Sequence, residues 1–70
     1  MSKDWSLAYS TREMYLAELA KRMLADNGIE AVIMDKMDAA YKNFGDIEVY
    51  VHYSKVLKAK KLIEDFEKTE

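Results

Sequence analysis

The stretch Ile47–Tyr53, I-E-V-Y-V-H-Y, constrains this chain more than any other. Ile47, Val49, Val51 and Tyr53 alternate with Glu48, Tyr50 and His52. Period-two alternation of β-branched and aromatic residues predicts a strand with one face on a core. Its other face carries an acid, a tyrosine and the only histidine of the chain. No other segment has so strong a strand pattern, so this one is expected at the centre of a sheet.

Two further strands are expected around it. In Asp4–Tyr9, Trp5, Leu7 and Tyr9 share one face, and Ser6 and Ala8 share the other. In Ile29–Lys36, Ile29, Ala31 and Ile33 form one face, while Glu30, Val32 and Met34 form the other. That second strand is apolar on both sides. Either its edge is covered by the loop that follows, or the sheet face it belongs to meets a partner.

Two helices complete the pattern. Ser10-Thr11-Arg12-Glu13 has the spacing of a capping box and predicts a helix from about Thr11 to Asn27. Its stripe is Leu16, Leu19, Ala20, Met23 and Leu24. Asn27-Gly28 predicts a stop with a left-handed glycine, Ile29 folding back on Leu24. Ser54 is expected to cap a last helix from about Lys55 to Glu67, with Val56, Ala59, Leu62, Ile63 and Phe66 on its buried stripe. Lys55, Lys58, Lys60 and Lys61 precede Glu64, Asp65 and Glu67, an order opposed to the helix dipole. The lysines form a solvated face or a weak anion-binding edge. Met37–Asp46 is too long for a tight hairpin turn. Asp38 is placed to cap one helical turn there, and Asn43-Phe44-Gly45-Asp46 has turn chemistry.

The order strand, helix, strand, strand, helix, with amphipathic helices that must bury their stripes, predicts an α+β fold. It is a ferredoxin-like plait lacking the last strand, β-α-β-β-α. The three-stranded antiparallel sheet has order 1-3-2, with both helices on one face. The expected core is Leu7, Leu16, Ala20, Met23, Leu24, Ile29, Ile33, Val49, Val51, Ala59, Ile63 and Phe66. At 70 residues the chain makes a single domain, 1–70.

The functional classes are narrowed mostly by what the residues cannot supply. The chain has no cysteine, which rules out a disulfide or thiolate metal site and makes a cytoplasmic address the default. Asp35, Asp38 and Asp46 match no calcium-loop spacing, and one histidine cannot make a multi-histidine site, so no metal is expected. Gly28 and Gly45 are isolated, so no phosphate-cradling loop and no cofactor is expected. No serine or threonine stands in a nucleophile motif, and the chain is read as non-enzymatic. His52 could pair with Glu48 or Glu30, but a lone strand histidine is a poor basis for catalysis. Tyr50 and His52 imitate base-stacking positions of RNA-recognition modules, yet the basic and glycine residues of that motif are missing and the net charge is -2. Nucleic acid is not expected. No apolar run approaches the ~20 residues of a membrane span. The N-terminus lacks an apolar signal-peptide core.

Ala17-Glu18-Leu19, Leu24, Asn27-Gly28-Ile29-x-Ala31, Glu48-Val49-Tyr50-Val51, and Ala59, Leu62 and Ile63 together resemble a family of very small bacterial domains with a ferredoxin-like fold. Its label is "putative prokaryotic signal transducing protein". The likeness spans nearly the whole chain and rests on structural motifs. It departs where that family often has a proline just after the third strand; His52-Tyr53 stand there instead. The resemblance implies a regulatory or binding role, similar to small plait regulators such as the PII-like proteins. It carries no functional residue that can be transferred.

Two functional expectations follow. The first is a regulatory or interaction module that binds a protein partner or itself. The candidate face is Ser6, Ala8, Val32, Met34, Tyr50 and His52. Strand one is expected as an edge without charge, proline or bulge to protect it, and so open to strand addition or a homodimer. The alternative is a small-molecule-binding domain that uses the open sheet face around Tyr50 and His52.

Overall fold

The computed structural model describes residues 4–35 and 47–68. In chain order the elements are β1 (Trp5–Thr11), α1 (Met14–Asp26), β2 (Ala31–Asp35), β3 (Ile47–His52), a 3-10 turn (Tyr53–Lys55) and α2 (Val56–Lys68). The strands form one antiparallel sheet in the order β1-β3-β2. This is the expected open plait, with Ile47–His52 at its centre. The expectations for Met37–Asp46, including the Asp38 turn, lie outside the described residues.

The core lies on one side of the sheet. Ile47, Val49 and Val51 are buried, together with Ala17, Ala20 and Leu24 of α1, Ala59 and Ile63 of α2, Ile29 before β2 and Ala31 at its start. Burial of a valine, leucine or isoleucine side chain contributes about 1.5–3 kcal/mol before chain entropy is set against it. Leu16, Met23, Ile33, Val56, Leu62 and Phe66 are half-buried around this centre. The rings of Tyr9 and Phe66 meet edge-to-face at 6.0 Å and tie the end of α2 to β1.

Three expectations are corrected. Leu19 is not in the helix stripe; it is 45% exposed. It follows Ala17 by two residues, about 200° round the helix, and Ala17 is the residue that touches the sheet. The capping box does not form. Ser10 and Thr11 stay in the ladder opposite Glu48 and Ile47, so the helix begins at Met14 instead. Glu13 takes the N-cap position without a side-chain cap bond, and its amide donates to Thr11 Oγ1 at 3.2 Å. Sheet pairing keeps the backbone groups of Ser10 and Thr11 satisfied that an earlier helix start would have taken.

The third correction concerns β1. Its register shifts between Leu7 and Tyr9, so two residues of β1 answer one of β3. Ser6 then pairs with Val51, Tyr9 with Val49 and Thr11 with Ile47, all on the covered side. Leu7 pairs with Tyr50, and Trp5 with His52, on the open side. Leu7 is therefore 42% exposed and not a core residue, and Ala8 packs against the core.

The helix stop forms as expected. Gly28 has φ +80°, Ile29 N–H donates to Leu24 C=O at 2.9 Å, and Gly28 N–H donates to Ala25 C=O at 3.0 Å. These are the two bonds of a Schellman motif.

Candidate functional site

The strand registers set the open face of the sheet in three ranks. Trp5 lies beside His52; Leu7, Tyr50 and Val32 form the middle rank; Ser10, Glu48 and Met34 form the third. Four of the six residues expected on this face, Val32, Met34, Tyr50 and His52, are on it. Ser6 and Ala8 are not, because the bulge turns Ser6 toward the covered side and sets Ala8 against the core. Trp5 and Leu7 take their place. The sequence hid them: Trp5, Leu7 and Tyr9 alternate cleanly, and nothing in the residue types marks the extra residue.

The middle of the face is apolar and accessible. Leu7 is 42% exposed, Val32 39% and Met34 42%, on either side of the half-buried Tyr50. The Tyr50 hydroxyl donates to Glu48 Oε1 at 2.7 Å. That hydrogen bond, then burial, then the nearby Glu48 charge, hold the Tyr50 pKa above its ordinary value.

His52 does not pair with Glu48 or Glu30 as the sequence suggested. Its Nδ1 lies 2.8 Å from Ser54 Oγ and accepts the Ser54 backbone N–H at 3.2 Å. An amide can only donate, so Nδ1 is the acceptor in the bond from Ser54 N–H. The imidazole, and not the Ser54 hydroxyl, caps the turn that leads into α2. The exposed ring also lies edge-on to Trp5 at 6.5 Å and tilted against Tyr53 at 4.7 Å. Its place in the sheet is fixed by Tyr53 N–H, which donates to Asp4 C=O at 2.9 Å and extends the β1–β3 ladder by one bond.

Most of the charge among the described residues lies on the helices and turns, where Glu13, Glu18, Asp26, Glu64, Asp65 and Glu67 accompany the basic residues. Among the described residues the strands carry Asp35 and Glu48 and no Lys or Arg. Arg12, Lys21, Arg22, Lys55, Lys58, Lys60, Lys61 and Lys68 all lie on helices or turns. No group of three or more His, Cys, Asp or Glu among the described residues is arranged to hold a metal ion. None of the described helices is long and apolar enough to cross a membrane.

The described residues form a three-stranded open plait with an accessible apolar sheet face. The chain belongs to the family described as "Putative prokaryotic signal transducing protein", which it matches over residues 5–67. No curated protein and no solved structure matches it.

Proposed function

We propose that this chain is a small, non-enzymatic regulatory module that receives a protein partner on its open sheet face. The observation that carries the reading is the rank of Leu7, Tyr50 and Val32, extended by Met34 and Trp5, on the side of the sheet away from both helices. The family description supports a signalling role, and the lack of cysteine suits a cytoplasmic setting. Three strands about 4.8 Å apart and three ranks of side chains make a face of roughly 300 Å². One amphipathic helix, about 10 Å across, covers it.

The test compares partner capture by the native chain, by Leu7→Lys on the open face and by Leu57→Lys on the helix side, where Leu57 is 81% exposed. A protein retained by the native chain and Leu57→Lys but lost with Leu7→Lys fits the proposal. Capture that ignores Leu7→Lys contradicts it. The small-molecule alternative is addressed on the same face by NMR with a metabolite panel. Shift changes confined to Tyr50 and His52, and abolished by His52→Ala, would replace the protein partner with a small ligand.

A further inference from the structure

The two edges of the sheet are not equivalent. β1 carries the bulge between Leu7 and Tyr9, and a bulge disrupts and twists an edge against further pairing. β2 pairs residue for residue with β3 from Ala31 to Asp35 without a break. It holds no proline, lysine or bulge, and its one charge, Asp35, stands at its last residue. Its side chains are apolar on both faces and only partly covered: Val32 and Met34 on the open side, Ile33 half-buried on the helix side.

The strand A-V-I-M-D is also self-complementary. Set against its own copy in antiparallel sense about an axis at Ile33, it brings Val32 opposite Met34 twice, on the open face. Ile33 meets Ile33 on the helix side, and each Asp35 falls opposite an Ala31. No like charges face one another. A shift of one residue in either direction would turn the apolar pairs to opposite faces.

We infer that the chain self-associates through β2, the two sheets joining into one of six strands about a two-fold axis at Ile33. Self-association is thereby moved from the first strand, whose edge the bulge protects, to the second. The inference differs from the open-face partner in needing the β2 backbone edge; the two share Val32 and Met34, while Trp5 and Leu7 belong to the open-face partner alone. The added contact is one five-residue ladder and its side chains, well below the roughly 800 Å² per partner of a stable dimer, so the association is weak. Cross-strand pairs contribute about 0.2–1 kcal/mol each, and the two-fold axis doubles the Val32–Met34 and Ala31–Asp35 pairs while Ile33–Ile33 occurs once.

The experiment is sedimentation equilibrium of the chain from low micromolar to millimolar concentration, with two double variants. Val32→Lys with Met34→Lys sets like charges opposite each other and is expected to weaken the dimer by about tenfold or more. Val32→Lys with Met34→Glu sets opposite charges in the same places and is expected to restore association to within about threefold of the native chain. Both positions are exposed, and circular dichroism checks that each variant folds. A strictly monomeric native chain up to millimolar concentration, in which the β2 amides that do not face β3 exchange rapidly, would overturn the inference. So would a dimer indifferent to the lysine pair, or a lysine-pair defect that the charge exchange does not repair. None of these results bears on the open-face partner, which Leu7→Lys tests separately.

Discussion

The Tyr50 hydroxyl donates to the Glu48 carboxylate two residues back on the same strand, at 2.7 Å, in the middle of the exposed sheet face. The bond orders both side chains along β3 between the apolar residues of β1 and β2. It also couples the face to pH. The folded-state pKa of Tyr50 is raised, first by this bond, then by burial and then by the Glu48 charge. A group whose folded pKa lies above its unfolded value stabilises the fold fully below the unfolded pKa, here about 10, and loses that contribution as pH climbs through the folded value. Tyr50→Phe is expected to cost about 1 kcal/mol at neutral pH. The difference between native and variant should shrink to nothing above about pH 10, as urea unfolding at stepped pH would reveal. A gap that stays constant into alkali would show that the hydrogen bond does not stabilise the fold.

Gly28 carries the helix stop. A Cβ added there would meet nothing within 4 Å, so the only penalty on a side chain is the backbone angle, φ +80°. Gly28→Ala is expected to destabilise by about 1 kcal/mol, read as a lower denaturant midpoint with an unchanged slope. Asn should cost less than Ala, since it tolerates the left-handed region better.

The bulge in β1 makes an unequal pair of two apolar residues that look alike in the sequence. Leu7→Ala on the open face is expected to cost under about 1 kcal/mol. Ile47→Ala, fully buried, is expected to cost about 2–5 kcal/mol, enough to unfold much of so small a domain. Equal losses would place Leu7 in the core and remove the bulge.

His52 acts as a cap in this structure. His52→Ala is expected to lower stability by about 1 kcal/mol through loss of the bond to the Ser54 amide, and His52→Asn to recover most of it. Ser54→Ala, which keeps that amide, should cost less. Thermal unfolding of the three variants checks the order. A larger loss from Ser54→Ala than from His52→Ala would return the cap to the serine.

The sequence made some features of this fold legible and hid others, for physical reasons. Ile47, Val49 and Val51 announced the central strand because the buried face of a strand repeats with the period of its backbone. Gly28 announced the end of α1 because one backbone angle there excludes most other residues. The bulge left no such mark. Trp5, Leu7 and Tyr9 satisfy an unbroken alternation, and only pairing with β3 shows that the face changes between Leu7 and Tyr9. The capping box failed for a related reason: Ser10 and Thr11 suit a helix cap locally, but the ladder to Glu48 and Ile47 claims their backbone first. Of the candidate face, the β2 and β3 members were legible through alternation and the β1 members were not. His52 was singled out for its chemistry, while its role comes from a neighbour two residues on, which no composition argument reaches.

The central claim is that the open sheet face, and not the helix side, meets a protein partner. A photo-crosslinking amino acid placed at Leu7, and separately at Leu57, in cells of the native host tests it most directly. The account predicts a discrete protein adduct from position 7 that Trp5→Ala diminishes, and none of that mass from position 57. An adduct from position 57 alone, or none from position 7 in a folded chain, would contradict it.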